Sequence, residues 1–448
     1  MKKISTFSHE WSWIKPAVIF ILLLLLLIPV GFIKSLINER QNYKHTAEDS
    51  IMEPVGRQPV IEGLVVAVPY QKILETKDKN GMLIKKTKTF YIISAPEYYS
   101  LSTHIAPYYL SRGIFDVPVF TADIHLKAKF DNFALAQFDG IDETSVRYGD
   151  ALLILGITSK KTFTSLPVIN IDGEKIFESP ANPVDASPFT NAVYYTVNMK
   201  NITAGFTVTG SISIQGGQSL SIVPMAVNNR FELTSTWPSP SFAGGWLPKS
   251  RDIKETGFAA EWEIAGLSTV FPQIWNTETN TANIFKEAER VITSFITPVN
   301  NYSQTKRCTT YAILFLAVPF LAIFLCELWS KIKIHPVQYF LIGIADALFY
   351  LLLLSLSEHF SFKISYLISA AGVCITVLLY AAAIFHAVKW GVLLSGVQAV
   401  SYLLLFGILQ SEDYALLIGS IGIFCVIALL MFLTRKVDWY GKSDTDIR

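Results

Sequence analysis

The sequence predicts an integral membrane protein of mixed α+β class, in which a large β-rich domain separates the first membrane-spanning helix from the others. Three observations carry this prediction. A charge-free apolar stretch covers residues 16–33, five more lie between residues 308 and 434, and the residues between the two groups have the composition of a water-soluble domain. Because a helix needs about 20 apolar residues to cross ~30 Å of hydrocarbon, each stretch is long enough to be a span.

The first apolar stretch is preceded by Lys2, Lys3 and Lys15, as in a signal sequence, but no small-residue cleavage site follows it. We therefore interpret it as an uncleaved signal anchor. The expected layout is an N-terminal segment at 1–15, the anchor at 16–33, an extramembrane domain at 34–308, a five-helix bundle at 309–434 and a tail at 435–448.

Charges in the short loops predict the orientation of the six spans. The loops after the second, fourth and sixth spans are basic, and they contain Lys331, Lys333, Lys389, Arg435 and Lys436. The loops on the opposite side carry Glu358, His359 and Lys363, and then Glu412 and Asp413. Both termini are therefore expected in the cytoplasm and the large domain outside it. The alternative is a miscount of one span, most readily where the fourth and fifth spans meet.

The composition argues against several classes of function. The net charge of +1 gives no global field that would attract nucleic acid. All four cysteines lie within the predicted spans or at their edge, so we expect no disulfide framework and no paired-cysteine metal site in the large domain. The phosphate-binding, zinc-protease and nucleophile-elbow motifs are missing from the sequence. We therefore expect no cofactor and no enzymatic activity.

Alternating apolar and polar residues predict strands in the large domain. At 120–130 every even position is apolar and every odd position is polar, and 206–215 repeats the pattern. Shorter alternations occur at 195–200, 231–234 and 258–264, between turn clusters such as Asn80-Gly81 and Gly216-Gly217. One-sided strands joined by short turns favour a sandwich-like pair of antiparallel sheets.

Three further segments complete the expectation for this domain. The charged residues 34–58 should continue the first helix out of the membrane. Residues 276–306 are interpreted as a polar, mildly helical stalk that returns the chain to the bilayer. The segment 237–248 contains three prolines and two glycines and is expected to be irregular. Its aromatic residues Trp237, Phe242 and Trp246 could line a groove for a ligand or glycan, or they could cap the sandwich, which we favour.

Asp346 is the most informative polar residue within the predicted spans. A carboxylate near the middle of a span is costly, so Asp346 should be protonated, hydrogen-bonded to a neighbouring helix or facing a polar cavity. Tyr350 and Gln398 are its candidate partners. A packing or specificity role is favoured over transport, because a proton or ion pathway usually needs several such groups. Glu358 and His359 are further candidates, although solvation at a span end explains them equally well.

Several blocks resemble a known family. They include His335-Pro-Val-Gln-Tyr339, then Phe349-Tyr-Leu-Leu-Leu-Leu-Ser-Leu-Ser-Glu-His359, and finally Thr434-Arg-Lys-Val-Asp-Trp-Tyr440. Together with blocks nearer the N-terminus, they resemble the CreD family of bacterial inner-membrane proteins over essentially the whole chain. One departure is Gly63-Leu64, where Gly-Pro would be expected.

The resemblance implies an inner-membrane protein with a periplasmic domain and a role in cell-envelope integrity, including tolerance of antibiotics and bacteriocins. It implies no catalytic residue that could be carried over. The expected partners are membrane lipid and an envelope protein or cell-wall ligand on the periplasmic domain, with no nucleic acid. The alternative function is a transporter with a periplasmic capture domain and Asp346 as its polar site.

Overall fold

Ten segments of the chain are described by the computed structural model: residues 11–77, 83–131, 141–179, 187–197, 205–268, 271–278, 289–295, 301–330, 332–411 and 415–434. The chain divides into two compact units. One unit, called the β unit below, is His45–Pro298, and the other, called the helical unit, combines Met1–Lys44 with Val299–Arg448.

Sixteen strands are found in the described part of the β unit. They are β1 Val60–Lys77, β2 Leu83–Ser94, β3 Tyr98–Arg112, β4 Phe115–Phe130, β5 Ala151–Ile157, β6 Val168–Ile171, β7 Glu174–Ile176, β8 Ala192–Val197, β9 Phe206–Gly216, β10 Ser219–Ile222, β11 Asn228–Ser235, β12 Pro240–Gly244, β13 Ser250–Lys254, β14 Gly257–Ala265, β15 Ile274–Asn276 and β16 Val291–Phe295. The strands predicted at 120–130 and 206–215 are confirmed as β4 and β9.

These strands form two eight-stranded sheets. The first has the order β12-β16-β10-β1-β2-β15, with β5 paired to β1 and β8 paired to β5. The second has the order β13-β14-β11-β3-β4-β9-β6-β7. Most pairs are antiparallel, but β1 runs parallel to β10 and β3 runs parallel to β11. One hydrophobic cluster contains residues from both sheets, so the two sheets share a core, as the alternating patterns predicted.

The central strands β1 and β5 are buried on both faces. Leu64 and Val66 point into the core shared by the two sheets, whereas Val65 and Ala67 belong to a second cluster on the other face. This arrangement explains the continuous apolar runs in these strands, because a strand covered on both sides has no solvent face to make polar. Near the start of β1, a bulge at Gly63 has φ of +128°, and a Cβ there would lie 1.9 Å from Met225 Sδ.

Two expectations for the β unit are wrong. Val291–Phe295 is strand β16 rather than part of a helical stalk, and its first, third and fifth side chains are buried. The apolar spacing in this short run fits a period of two as well as a helix. Pro240–Gly244 is a regular strand, β12, although it lies in the segment expected to be irregular. It forms an edge of the sheet, and Pro240 is its first residue, where a missing N–H is tolerated.

The described part of the helical unit contains seven helices, the first of which runs on into the β unit. They are α1 Trp11–Val55, α2 Asn301–Thr310, α3 Ala312–Ser330, α4 Pro336–Ser357, α5 Phe362–Ile384, α6 Val388–Gln410 and α7 Ala415–Thr434. Within the residues that the structure describes, five of these helices, α1 and α3 to α6, are long and apolar enough to cross a membrane. Helix α7 coincides with the sixth predicted span.

Helix α1 is a single helix of 45 residues. At 1.5 Å per residue it is about 67 Å long, roughly twice the hydrocarbon thickness of a bilayer. The prediction that residues 34–58 continue the first apolar helix is confirmed as far as Val55, and four residues separate the end of α1 from β1.

Small residues allow the helices of this unit to approach closely. A Cβ on Gly343 of α4 would lie 2.2 Å from Leu26 Cδ1 of α1 and 2.7 Å from the ring of Phe320 on α3. A Cβ on Gly391 of α6 would lie 2.6 Å from the carbonyl oxygen of Leu378 on α5. Each glycine is followed four residues later by another small residue, Ala347 or Ser395, a spacing that permits close helix packing in membranes.

Removal of one buried ring should test the shared core of the β unit. Phe231 is fully buried on β11 and packs edge-on against Tyr99, with ring centroids 6.0 Å apart. Phe231→Ala should lower the free energy of unfolding by about 3–5 kcal/mol, because it leaves a cavity. Thermal unfolding of the full chain in detergent measures the effect. Phe177→Ala is the matched control, because Phe177 is 75% exposed. Equal losses in both variants would contradict the assigned core.

Candidate functional site within the helical unit

Asp346 forms a buried polar cluster with two residues of a neighbouring helix. Asp346 lies on α4, and its Oδ1 accepts hydrogen bonds from Gln398 Nε2 at 2.8 Å and from the Tyr402 hydroxyl at 3.3 Å. Gln398 and Tyr402 are four residues apart on α6, so they lie on the same face of that helix. All three residues are at most 3% exposed. This cluster therefore joins α4 to α6 through polar contacts within an apolar bundle.

Aromatic side chains enclose the cluster. The ring of Phe349 stacks on Tyr402 with centroids 4.4 Å apart, and it also packs edge-on against Tyr350 and Tyr366. The Tyr366 hydroxyl donates a 2.7 Å hydrogen bond to the carbonyl oxygen of Tyr402. This bond brings α5 into the assembly, so that three helices meet around Asp346.

The cluster retains unused hydrogen-bonding capacity. Asp346 Oδ2 and Gln398 Oε1 are both buried without a hydrogen-bond partner among the described residues, as are the hydroxyls of Ser365 and Ser369 on α5. Buried acceptors of this kind cost free energy in a bilayer, and their presence at one site is typical of a functional or specificity-determining position. The two oxygens can still accept a hydrogen bond, whereas the hydroxyls can also donate one.

The sequence identified part of this cluster. Asp346 and its contact with Gln398 were predicted, and the contact is present. Tyr350 is buried next to the cluster, but the hydroxyl that bonds to Asp346 belongs to Tyr402. Tyr402 was missed, although its position one turn after Gln398 is a signal that could have found it.

A second carboxylate, Glu327, lies at the end of α3. It accepts hydrogen bonds from the Tyr339 hydroxyl at 2.8 Å and from the backbone N–H of Ile334 at 3.1 Å, and it is paired with Lys15 of α1. The side chains of Lys15 and Glu327 are 19% and 11% exposed, so water screens this ion pair only in part. The contact ties α1, α3 and α4 together at one end of the unit.

A third carboxylate, Glu358, has the same kinds of partner at the other end of α4. It pairs with Arg40 of α1 at 3.5 Å and accepts a hydrogen bond from the Tyr302 hydroxyl of α2 at 3.1 Å. Burial, and then the Glu358 carboxylate, raise the pKa of Tyr302 above its ordinary value, so that its hydroxyl remains a donor at neutral pH. His359, the neighbouring candidate, is exposed. Glu412 and Asp413 lie outside the described residues.

The aromatic candidates of the β unit pack into its interior. Trp237 is 5% exposed, lies 6.2 Å from the ring of Phe295, and donates from Nε1 to the carbonyl oxygen of Ser239 at 3.2 Å. Phe242 packs edge-on against Phe258 and Trp262. The carbonyl oxygen of Trp246 accepts a hydrogen bond from Trp262 Nε1. These contacts support the interpretation that Trp237, Phe242 and Trp246 cap the sheets.

Comparison with known proteins agrees with this architecture. The family model described as inner membrane protein CreD matches residues 12–440. This chain belongs to the CreD family. It is 28% identical to the inner membrane protein CreD of Escherichia coli strain K12 over 430 residues, which cover 94% of this chain and 92% of that protein. The resemblance noted in the sequence is thereby confirmed, and the chain is a multi-pass protein of the inner membrane.

Likeness to solved structures is weak. An M1 zinc metallopeptidase from Deinococcus radiodurans is 9% identical, with a TM-score of 0.21, over 44% of this chain and 41% of the peptidase. A mutant form of the same enzyme gives 8% identity and the same TM-score over 44% and 42% of the two chains. Likeness at this level carries no argument about function. In the segments that the structure describes, no three His, Cys, Asp or Glu side chains are grouped as metal ligands would be.

Two substitutions at Asp346 should distinguish the contribution of its hydrogen bonds to stability from that of its carboxyl group. Asp346→Leu removes the acceptor shared by Gln398 and Tyr402, so we expect the helical unit to lose about 1–3 kcal/mol of stability. Asp346→Asn keeps a carbonyl oxygen at this site and should lose less. Thermal unfolding in one detergent compares the two variants. A Leu variant as stable as the Asn variant would contradict the hydrogen-bonded role of Asp346.

Proposed function

We propose that this protein maintains or senses the integrity of the cell envelope as a non-enzymatic protein of the inner membrane. The observation that carries the proposal is membership of the CreD family over nearly the whole chain, together with a two-sheet unit inserted between apolar helices. The family and its Escherichia coli relative are named as inner membrane proteins and not by an activity. The described residues offer a large sheet-built domain, with no group that suits metal catalysis.

The proposed topology has six membrane crossings, with both termini in the cytoplasm and residues 34–308 in the periplasm. The loop charges support it, and so do the carboxylate contacts at the two ends of α4. Glu327, at the end of α3, contacts Lys15 and Tyr339 at one end. Glu358, at the end of α4, contacts Arg40 and the start of α2 at the other.

The separation of these two groups along α1 fits a bilayer. Lys15 and Arg40 are 25 residues apart, which corresponds to about 37 Å of helix. This distance exceeds the ~30 Å hydrocarbon core and remains within the 40–45 Å thickness that includes the headgroups. Each group would therefore lie at one interface, where a carboxylate and a cation can reach water. The chain passes from the helical unit into the β unit beyond Arg40 and returns to the helical unit at α2. We assign this side to the periplasm.

The proposed partners are membrane lipid and an envelope protein or cell-wall ligand on the periplasmic domain. The alternative, a transporter with a capture domain, rests on Asp346. The burial of Asp346 and its bonds to Gln398 and Tyr402 favour a role in helix packing or specificity. Proton-coupled transport also requires more than one deep ionisable group in most cases.

Cysteine labelling in cells should test the topology. In a variant that lacks the four native cysteines, His359→Cys should react with a membrane-impermeant maleimide in cells with a permeabilised outer membrane. Lys389→Cys should react only after the inner membrane is opened. The two positions are matched in exposure, and they lie beyond opposite ends of α5. Reaction of Lys389→Cys in cells with a closed inner membrane would contradict the six-span arrangement.

Complementation should test the function. Cells that lack this protein should become more sensitive to a cell-wall-active antibiotic, and the full chain should restore tolerance. Asp346→Asn should also restore it, since the proposal needs no proton transfer at this site, whereas a chain in which a short linker replaces 45–298 should not. Full rescue by the shortened chain would contradict a role for the β unit. Failure of Asp346→Asn, at normal protein levels, would favour the transport alternative.

A further inference from the structure

The hairpin formed by β1 and β2 carries a concentration of positive charge. Six lysines and two acidic residues lie between Gln71 and Thr89, a net charge of +4 in a chain whose total is +1. The strands pair in register from Val66 with Ser94 to Lys77 with Leu83, so the arm is a regular two-stranded ribbon. Beyond the Tyr70–Val146 bridge, the other edge of β1 pairs with no described strand. Beyond its buried base the arm is exposed on both faces, because Ile73 and Lys85 on one face and Lys86 and Lys88 on the other are exposed.

The register places the lysines unequally on the two faces. Lys72 of β1 is directly opposite Lys88 of β2, and Leu74 is opposite Lys86, so these four side chains share one face. The next pair, Glu75 and Lys85, belongs to the other face and forms an ion pair at 3.6 Å. On that face Glu75 offsets the charge of Lys85, while the other face, here called the lysine face, holds Lys72, Lys86 and Lys88.

Repulsion among the lysines of this face destabilises the folded hairpin. Like charges directly opposite one another destabilise a strand pair. Scattered lysines are enough to protect an edge strand from aggregation, so protection does not explain two lysines in direct register. Lys88 lies over the Phe90 ring, with Nζ 5.0 Å from its centroid, and Lys86 is exposed. An external anion would relieve the repulsion among these ammonium groups.

One carboxylate offsets part of this charge. Glu278 accepts hydrogen bonds from Lys72 Nζ, at 2.7 Å, and from the Tyr70 hydroxyl. Burial alone would raise the pKa of Glu278, but the bonds from Lys72 and Tyr70 hold it below the ordinary value, so Glu278 is charged at neutral pH. The lysine face therefore has an internal counter-ion at its base and free cationic groups towards its tip.

We propose that the lysine face of the β1–β2 hairpin binds the phosphate headgroups of anionic phospholipids at a bilayer surface. Lysine ammonium groups are compact donors that suit phosphate oxygens, and several together bind an anionic bilayer cumulatively. Leu74, on the same face, is partly buried against the cluster of Tyr70, Phe90 and Ile92, so the base of this face is anchored to the domain. Attachment of the same chain to the inner membrane raises the effective concentration of such lipids, so weak individual contacts suffice.

This inference deepens the proposed function by naming a lipid partner, and it rests on that function for the presence of the domain beside a membrane. The binding assay uses the full chain in nanodiscs of phosphatidylcholine, mixed with phosphatidylcholine vesicles that do or do not contain phosphatidylglycerol. Co-sedimentation should require phosphatidylglycerol and should weaken as salt is added. Because the assay needs no envelope phenotype, its failure is distinguishable from failure of the complementation test.

Three variants with matched charge test the surface. Lysines near an anionic bilayer contribute roughly fivefold each, so Lys72→Gln, Lys86→Gln and Lys88→Gln together should weaken binding about 100-fold. Replacing the same three lysines with arginine should preserve binding. The control combines Lys160→Gln, Lys161→Gln and Lys175→Gln, which remove the same charge from other exposed positions and should leave binding unchanged. Glu278→Gln removes the internal counter-ion while keeping an acceptor for Tyr70, and should strengthen binding about fivefold.

Four results would overturn the proposal. They are equal binding to neutral vesicles, equal losses in the triple variant and its charge-matched control, unchanged or weaker binding by Glu278→Gln, and complete competition by inorganic phosphate. The last result would indicate a site for the free anion. Removal of exposed like charges should not impair folding, and an unchanged midpoint of thermal unfolding confirms that the triple variant can be compared.

Discussion

A carboxylate that is largely removed from water needs hydrogen-bond donors or a cation from the protein, and this constraint organises the helical unit. Glu327, Asp346 and Glu358 lie at one end, in the middle and at the other end of the same group of helices. Each gathers donors from other helices, and α4 takes part in all three contacts. Helix α1 is held through Lys15 and Arg40, near the two ends of its apolar part. Apolar packing alone gives little preference for one helix arrangement in lipid, so these contacts supply specificity.

The β unit obeys a different constraint, the need to bury apolar side chains. Strand β4 has one buried face and one wet face, and its pattern is readable from the sequence. Strands β1 and β5 are covered on both faces and define the centre of the first sheet. In contrast, the β1–β2 hairpin extends from this centre as a charged arm. The same strand β1 thus contains a fully buried first half and a second half that forms part of the lysine face.

Local patterns in the sequence anticipated the apolar helices, strands such as β4 and β9, the shared core and the contact between Asp346 and Gln398. They gave no prediction for β1 and β5, because a strand buried on both faces lacks the alternation of apolar and polar residues. What they missed depends on residues that are distant in the chain. Tyr402 contributes a hydroxyl only because α4 and α6 are neighbours, which no local pattern records. Val291–Phe295 becomes a strand because β10 and β12 lie on either side of it. Pro240 is accepted in a strand because that strand forms an edge, and an edge position is visible only in the assembled sheet.

The parallel pairs have a consequence for the order in which the chain can fold. Val60 of β1 pairs with Ser221 of β10, about 160 residues later, and β10 in turn pairs with β16. Strand β1 is synthesised first, but β10 and β16 are synthesised much later. Contacts of such long sequence separation form slowly. During that interval β1 can pair with β2 and β5, but its first residues, Val60 and Ile61, lack the partner that β10 provides. The first sheet is therefore complete only after β16 has been synthesised, shortly before the chain reaches α2.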